Sequence, residues 1–186
     1  SRRSLADDCN SPQQFVVQMK VCIVANKAWN LTNFRMNLMH RLLELGVEVH
    51  AVAPADGCEK KIIQAGIPFH DWKIQRESLN PFRELQSIRS IRKIYQEVSP
   101  DLVHHFTVKA LLYGTAAARS LGIKAIVNSV TGMPLILVAP KTQLHKKLAG
   151  WISMKWYGWS VSGSQIHVLF QNEDDLKLLE PFAPDI

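Results

Sequence analysis

Asp101-Leu102-Val103-His104-His105-Phe106-Thr107-Val108-Lys109 is a short apolar run that ends in a burst of polar groups. Pro100 stands just before it, where a helix must stop. Upstream, Pro81 follows a capping residue, Asn80, and opens a helical pattern with Phe82, Leu85, Ile88, Ile91, Tyr95 and Val98 on its inner side. Downstream, the small-residue pattern Ala110 to Leu121 is closed by Gly122. A strand set between two helices is the repeating unit of a parallel sheet.

The same unit recurs outward in both directions. Lys20 to Ala25 is a continuous apolar run, as buried parallel strands are. Asn33 reads as the cap of a helix carrying Phe34, Leu38, Leu42 and Leu45, and Gly46 stops it. Val47 to Ala53 is the second strand, Glu59 to Ala65 a short helix, and Ile67 to Trp72 a third, weaker strand. Ile123 to Asn128 is the fifth strand. A helical stretch runs from Thr142 to about Val161, and Gln165 to Phe170 is the sixth strand. Asn172, with Asp174 and Asp175, opens a last helix. Strands alternating with helices at these lengths imply an α/β fold, a doubly wound parallel sheet of Rossmann-like type.

At 186 residues the chain accommodates one full-sized domain, which we place at residues 19–180; residues 1–18 read as a flexible extension. Arg2 and Arg3 are followed by Asp7, Asp8 and Asn10, so that extension lacks a signal peptide's apolar segment. No run of 18 or more apolar residues exists. Three cysteines, Cys9, Cys22 and Cys58, form neither a disulfide framework nor a metal spacing, which points to a reducing, cytoplasmic setting. A net charge of +6 favours anionic partners. The basic residues lack the interleaved aromatics of a nucleic-acid stacking platform, so nucleic acid is not expected as a partner.

In open α/β sheets, ligands bind outside the carboxyl ends of the strands. Three segments fall there. The first, Asn26 to Arg35, has no glycine-rich phosphate loop, but Asn26, Trp29, Asn30, Asn33 and Arg35 stand beside a helix start. Such amides suit sugar hydroxyls or a phosphate, and equally suit capping and turn formation. The second is His104, His105, Thr107 and Lys109. Adjacent strand residues face opposite ways, so at most one of the two histidines lines a site. The third is Asn128 with Ser129, Thr131 and Gly132, where glycine permits close approach or merely forms a turn. No cluster calls for a metal. Residues 141–159 combine Lys141, Lys146, Lys147 and Lys155 with a stripe of Leu144, Leu148, Trp151, Ile152 and Trp159. That pattern fits an anionic membrane surface or a core-facing helix with a solvated basic side.

Taken together, Met19 to Val24, Asn33-Phe34-Arg35, Ala53-Pro54, Asp101 to Lys109, Tyr113-Gly114, Asn128 to Gly132 and Val168 to Asp174 resemble the N-terminal, acceptor-side domain of family 4 glycosyltransferases. These are retaining GT-B enzymes, and the nearest subgroup is the bacterial type acting on surface polysaccharides and lipid-linked glycans. The resemblance implies one half of a GT-B fold, with the C-terminal donor-binding domain absent from this chain and little activity for the fragment alone. It implies a nucleotide-sugar donor, a glycan or polyprenyl-phosphate acceptor, no separate cofactor, and a place at the inner face of the plasma membrane. The family often shows His-x-His at the end of the fourth strand. Here His104 matches the first histidine, Phe106 takes the second position, and His105 is the substitute if the strand end twists, so the resemblance makes His105 and His104 the catalytic candidates. A sugar-nucleotide epimerase-like half domain and a non-catalytic sugar- or phosphate-binding module are the alternatives.

Overall fold

The computed structural model describes residues 18–74, 81–132 and 144–183. Each apolar run becomes a strand: β1 (Lys20–Val24), β2 (Glu48–Ala53), β3 (Phe69–Asp71), β4 (Leu102–Phe106), β5 (Ala125–Val130) and β6 (Ile166–Phe170). The described helices are α1 (Ala28–Phe34), α2 (Met36–Glu44), α3 (Glu59–Gln64), α4 (Pro81–Val98), α5 (Val108–Ser120), α6 (Leu144–Val161) and α7 (Glu173–Leu179). The strands form one parallel sheet in the order β3-β2-β1-β4-β5-β6. The chain winds outward from β1 to β3, then returns to the other side of β1. A crevice therefore opens above β1 and β4, where the winding direction reverses.

Side-chain alternation divides the core into two layers. Cys22, Val24, Val52, Val103, Ile126 and Val130 pack with α4, α5 and α6. Val21, Ile23, Val49, Ala51 and Phe106 pack with α1, α2 and α3. Each fully buried aliphatic side chain contributes roughly 1.5–3 kcal/mol relative to exposure. The enclosed Cys22 thiol is pushed up to about 12 by burial, which makes it an inert filler of this core.

Several elements differ from the sequence expectations. The first helix begins at Ala28, because Ala28 and Leu31 are both fully buried and draw the turn inward. Asn33 is thus no cap. It sits in the last turn of α1, where its Nδ2 donates to the Trp29 carbonyl at 2.8 Å. The helix breaks at Arg35 and resumes at Met36. Phe34 and Leu45 are exposed, and Met39 is the buried residue of α2. In α4, Phe82 is 80% exposed and Leu85 is also exposed, because burial starts with Ser87 and Ile91 further along the helix. β5 lies two residues later than expected, paired from Leu102↔Ala125 to Phe106↔Ser129. Asn128 is consequently inside the strand.

In α6, Met154, Tyr157, Ser160 and Val161 are buried, and Ile152, Lys155 and Trp159 face outward. Residues 1–17 of the expected extension, the Asn80 cap, and the Lys141 and Thr142 start of the basic stretch lie outside the described residues. At α7 the expected cap is present, with the Asn172 Oδ1 accepting from the Asp175 backbone at 2.8 Å. Among the described residues, no helix is long and apolar enough to cross a membrane.

Candidate functional site

A hollow of about 340 Å³ occupies the crevice. Its floor comes from strand ends: Ala25 after β1, Phe106 and Thr107 at the end of β4, Thr131 after β5 and Gln171 after β6. Its near wall is Asn30, Phe34 and Arg35, around the break between α1 and α2. Among the described residues the lining combines four neutral hydroxyl or amide side chains with three apolar ones and one cation, and no carboxylate. A second hollow of about 470 Å³ lies at the opposite edge of the sheet, bounded by Ser99, Asp101, Gly122 and Lys124. It sits at the amino ends of the strands, away from the switch point that this architecture uses for ligands.

The wall is held by local contacts. Asn30 Nδ2 donates to Asn26 Oδ1 at 3.5 Å, and the Asn26 backbone N–H donates to Thr107 Oγ1 at 3.3 Å. The second contact ties the β1 end to the β4 end across the crevice. Thr107 precedes α5 with φ 77°, a left-handed value that a β-branched residue rarely adopts. Arg35 places its guanidinium carbon over the Phe106 ring, 4.1 Å from the centroid, and donates to the Phe34 carbonyl at 3.2 Å. Burial holds this guanidinium below its usual range. Trp29 and Phe34 meet edge to face at 5.3 Å, and both are exposed at the outer side of the wall.

The two histidines part company as strand geometry requires. His104 lies on the α1 side, with its ring 4.1 Å from Phe106 and its Nε2 2.8 Å from Ser129 Oγ. Burial, then the nearby Arg35 charge, lowers its pKa to about 4, so at neutral pH it is an uncharged hydrogen-bonding ring. His105 lies on the opposite side and is fully enclosed. Asn128 Oδ1 accepts from His105 Nδ1 at 2.7 Å, and Tyr95 donates its hydroxyl proton to Nε2 at 2.8 Å. Asn128 Nδ2 donates to Thr115 Oγ1 at 3.0 Å and to the Ser160 carbonyl at 2.7 Å. Burial lowers the His105 pKa to about 3. The structure therefore places His105 and Asn128 in a satisfied core network, where neither reaches the hollow.

Of the other candidates, Asn30, Arg35, Thr107 and Thr131 come together around the hollow. Asn26 supports Asn30 from behind, and Trp29 and Asn33 sit on the outer side of α1. Gly132 follows Thr131 with φ 113°, a value suited to glycine. Lys109 is turned away to α4, where its Nζ meets Glu84 at 3.1 Å beside Tyr113, which also donates to Glu84. Sequence reasoning missed Gln171, Phe34 and the lining role of Phe106. Gln171 was within reach of the strand-end rule, since it directly follows β6. Among the described residues, no group of three or more histidine, cysteine or acidic side chains converges.

Comparison with known proteins bears on this geometry. The glycosyl transferase 4-like family model matches residues 20–157. The N,N'-diacetylbacillosaminyl-diphospho-undecaprenol alpha-1,3-N-acetylgalactosaminyltransferase of Campylobacter jejuni is 24% identical over 101 residues, covering 54% of this chain and 27% of that protein. A glycosyltransferase from Rickettsia africae superposes with a TM-score of 0.59 at 16% identity, over 88% of this chain and 39% of that one. A UDP-GlcNAc 2-epimerase from Methanocaldococcus jannaschii gives 0.53 at 12% identity, over 88% and 42%. At these identities the solved structures show a shared fold and no more. The chain spans about a quarter of the curated relative's length and about two-fifths of each solved one.

Proposed function

The chain belongs to the glycosyl transferase 4-like family, and from that premise we propose that it is the acceptor-binding half of a retaining glycosyltransferase that moves a sugar from a nucleotide-sugar to a lipid-linked glycan. The observation that carries this reading is the hollow at the switch point, lined by Asn30, Thr107, Thr131 and Gln171. Neutral amides and hydroxyls both donate and accept, which matches the hydroxyl pattern of a sugar. In retaining transfer of this kind, positive charge builds at the sugar carbon and is balanced by the departing diphosphate. The protein's part is then to hold the acceptor hydroxyl in line and to keep the reacting groups together. Neutral His104 braces the Phe106 floor and Ser129.

The name of the Campylobacter relative describes a diphospho-undecaprenol acceptor. A membrane-borne acceptor of that kind would place this chain at the cytoplasmic face of a bilayer. The outward face of α6, with Ile152, Lys155 and Trp159, supports peripheral contact with anionic lipid. The donor would be held by a partner domain, without a resident cofactor in this half.

Binding measurements on the chain test the reading. Farnesyl-diphosphate-linked N-acetylhexosamine, offered in anionic vesicles, should bind at least about 10-fold more tightly than the matching UDP-sugar, a difference of ~1.4 kcal/mol. Cosedimentation with empty anionic vesicles, and not with neutral ones, should follow from the α6 face. Tighter binding of the UDP-sugar would overturn the acceptor assignment and favour the donor-binding, epimerase-like alternative.

A further inference from the structure

We infer that Arg35 is the anion-holding residue of the switch-point hollow, gripping a phosphate oxygen of the acceptor's diphosphate while the neutral groups take its sugar. The inference rests on the acceptor-binding reading and assigns one residue within it. Among the described residues lining the hollow, Arg35 is the charged one. Among the described residues no carboxylate lies within ion-pair distance of it. Its guanidinium lies over the Phe106 ring and donates to one carbonyl, that of Phe34. A cation–π contact orients a guanidinium but neutralises no charge. One carbonyl bond leaves most of the five N–H donors open to a ligand.

A half-buried cation beside a polar cavity, with no counter-ion among the described residues, is unfavourable in the empty protein, and an oxyanion removes that penalty. The other basic side chain raised by the sequence at this edge, Lys109, is taken up by Glu84. The break between α1 and α2 falls at Arg35 itself, so the residue hinges out of both helices onto the floor of the hollow. Phe106 stands where the related pattern has a second histidine. This chain replaces a hydrogen-bonding ring by an apolar ring with a guanidinium laid over it, which supplies charge at all physiological pH values.

Isothermal titration calorimetry with inorganic pyrophosphate at low salt tests the assignment, using the chain and the variants Arg35→Gln, Arg35→Lys and Lys124→Gln. Arg35→Gln should weaken pyrophosphate binding about 10-fold or more, as expected for loss of a charge-assisted bidentate contact. Arg35→Lys should fall between, because an ammonium keeps the charge and loses the planar fork. Lys124→Gln, at the far edge of the sheet, should change binding less than about twofold. Pyrophosphate binding that survives Arg35→Gln, or that falls equally with Lys124→Gln, overturns the inference.

Two further probes separate it from the acceptor reading. A neutral octyl N-acetylglucosaminide should bind the chain and Arg35→Gln alike. If it binds while pyrophosphate shows no Arg35 dependence, the acceptor reading stands and this assignment falls. If pyrophosphate depends on Arg35 and the glycoside does not bind, the assignment stands and the sugar-binding role of the amides falls. Farnesyl diphosphate should show a larger Arg35 dependence than UDP, and the reverse order would overturn the acceptor as the source of the phosphate.

Discussion

The two sides of β4 carry neighbouring histidines with opposite fates. On the α5 side, His105 is locked by Tyr95 and Asn128, and Asn128 is locked in turn by Thr115 and the Ser160 carbonyl. Among the described residues no buried side-chain polar atom lacks a partner, so this network is complete. On the α1 side, Phe106 and Arg35 border an open hollow, with His104 packed against the Phe106 ring and, among the described residues, no carboxylate beside the Arg35 cation. A closed polar network contributes to one well-defined fold. An incomplete one is a place where a ligand can supply the missing partner. The contrast tells which histidine to read as scaffold and which surface to read as a site.

The largest effect expected is from closing the gap between α5 and β4. A Cβ added at Gly114 would overlap the His105 ring. That ring is fully buried and held at both nitrogens, so it cannot swing aside. Gly114→Ala should therefore destabilise by about 3 kcal/mol or more, as overpacking of a rigid core does, even though alanine is the better helix former. Urea denaturation measures it. A loss under about 1 kcal/mol would show that the network is loose and would break the comparison.

Acid should come next, because both histidines are held neutral. Their folded pKa values are about 3 for His105 and about 4 for His104, against an ordinary 6.5. Below pH 6.5 the unfolded chain takes up protons that the folded chain refuses. Stability is thus fully present above about pH 6.5 and is lost as pH falls toward 4 and then 3. Between pH 6.5 and 4 the slope should be on the order of 2 kcal/mol per pH unit. His70 adds in the same direction, its pKa lowered by burial and by His50. Glu48 and Asp71, whose pKa values are lowered by hydrogen bonds from His50 and Lys73, lose their contributions only at lower pH. Urea midpoints at pH 7, 6 and 5 read the window. His104→Gln should flatten the slope by up to one proton, and a flat profile in the native chain would mean that the histidines are accessible to water.

Much of this was legible in the sequence, for identifiable reasons. The continuous apolar runs gave the strands, and Pro100, Gly46 and Gly122 gave the punctuation between them. The rule that ligands gather at strand ends named Asn30, Thr107 and Thr131, which share one hollow in the structure. What escaped was decided by tertiary contact. Ile123 to Val130 contains no breaker, so nothing local tells that Asn128 is interior; its partners lie 13, 23 and 32 positions away in the chain. Lys27 precedes α1 without any side-chain cap, so the helix start at Ala28 left no mark. The break at Arg35 has neither proline nor glycine to announce it.

The smallest expected effect is at the lip of the hollow. Thr107 sits at φ 77° and ψ 149°, and a non-glycine residue there stores on the order of 1–3 kcal/mol of strain. Thr107→Gly would release that strain. It would also add about 0.5–1 kcal/mol of chain entropy to the unfolded state, and it would remove the 3.3 Å bond from the Asn26 N–H, worth roughly 0.5–1.5 kcal/mol. The gains and losses are of one size, so the net change in stability should stay within about 1 kcal/mol. Binding in the hollow should weaken all the same, because Thr107 Oγ1 fixes the β1 end against the β4 end and lines the cavity. A thermal melt beside a titration with the acceptor analogue separates the two. Unchanged melting with weakened binding is what an open, strained edge predicts. A loss beyond ~2 kcal/mol would instead place Thr107 with His105, as part of the scaffold, and would erase the distinction between the two sides of β4.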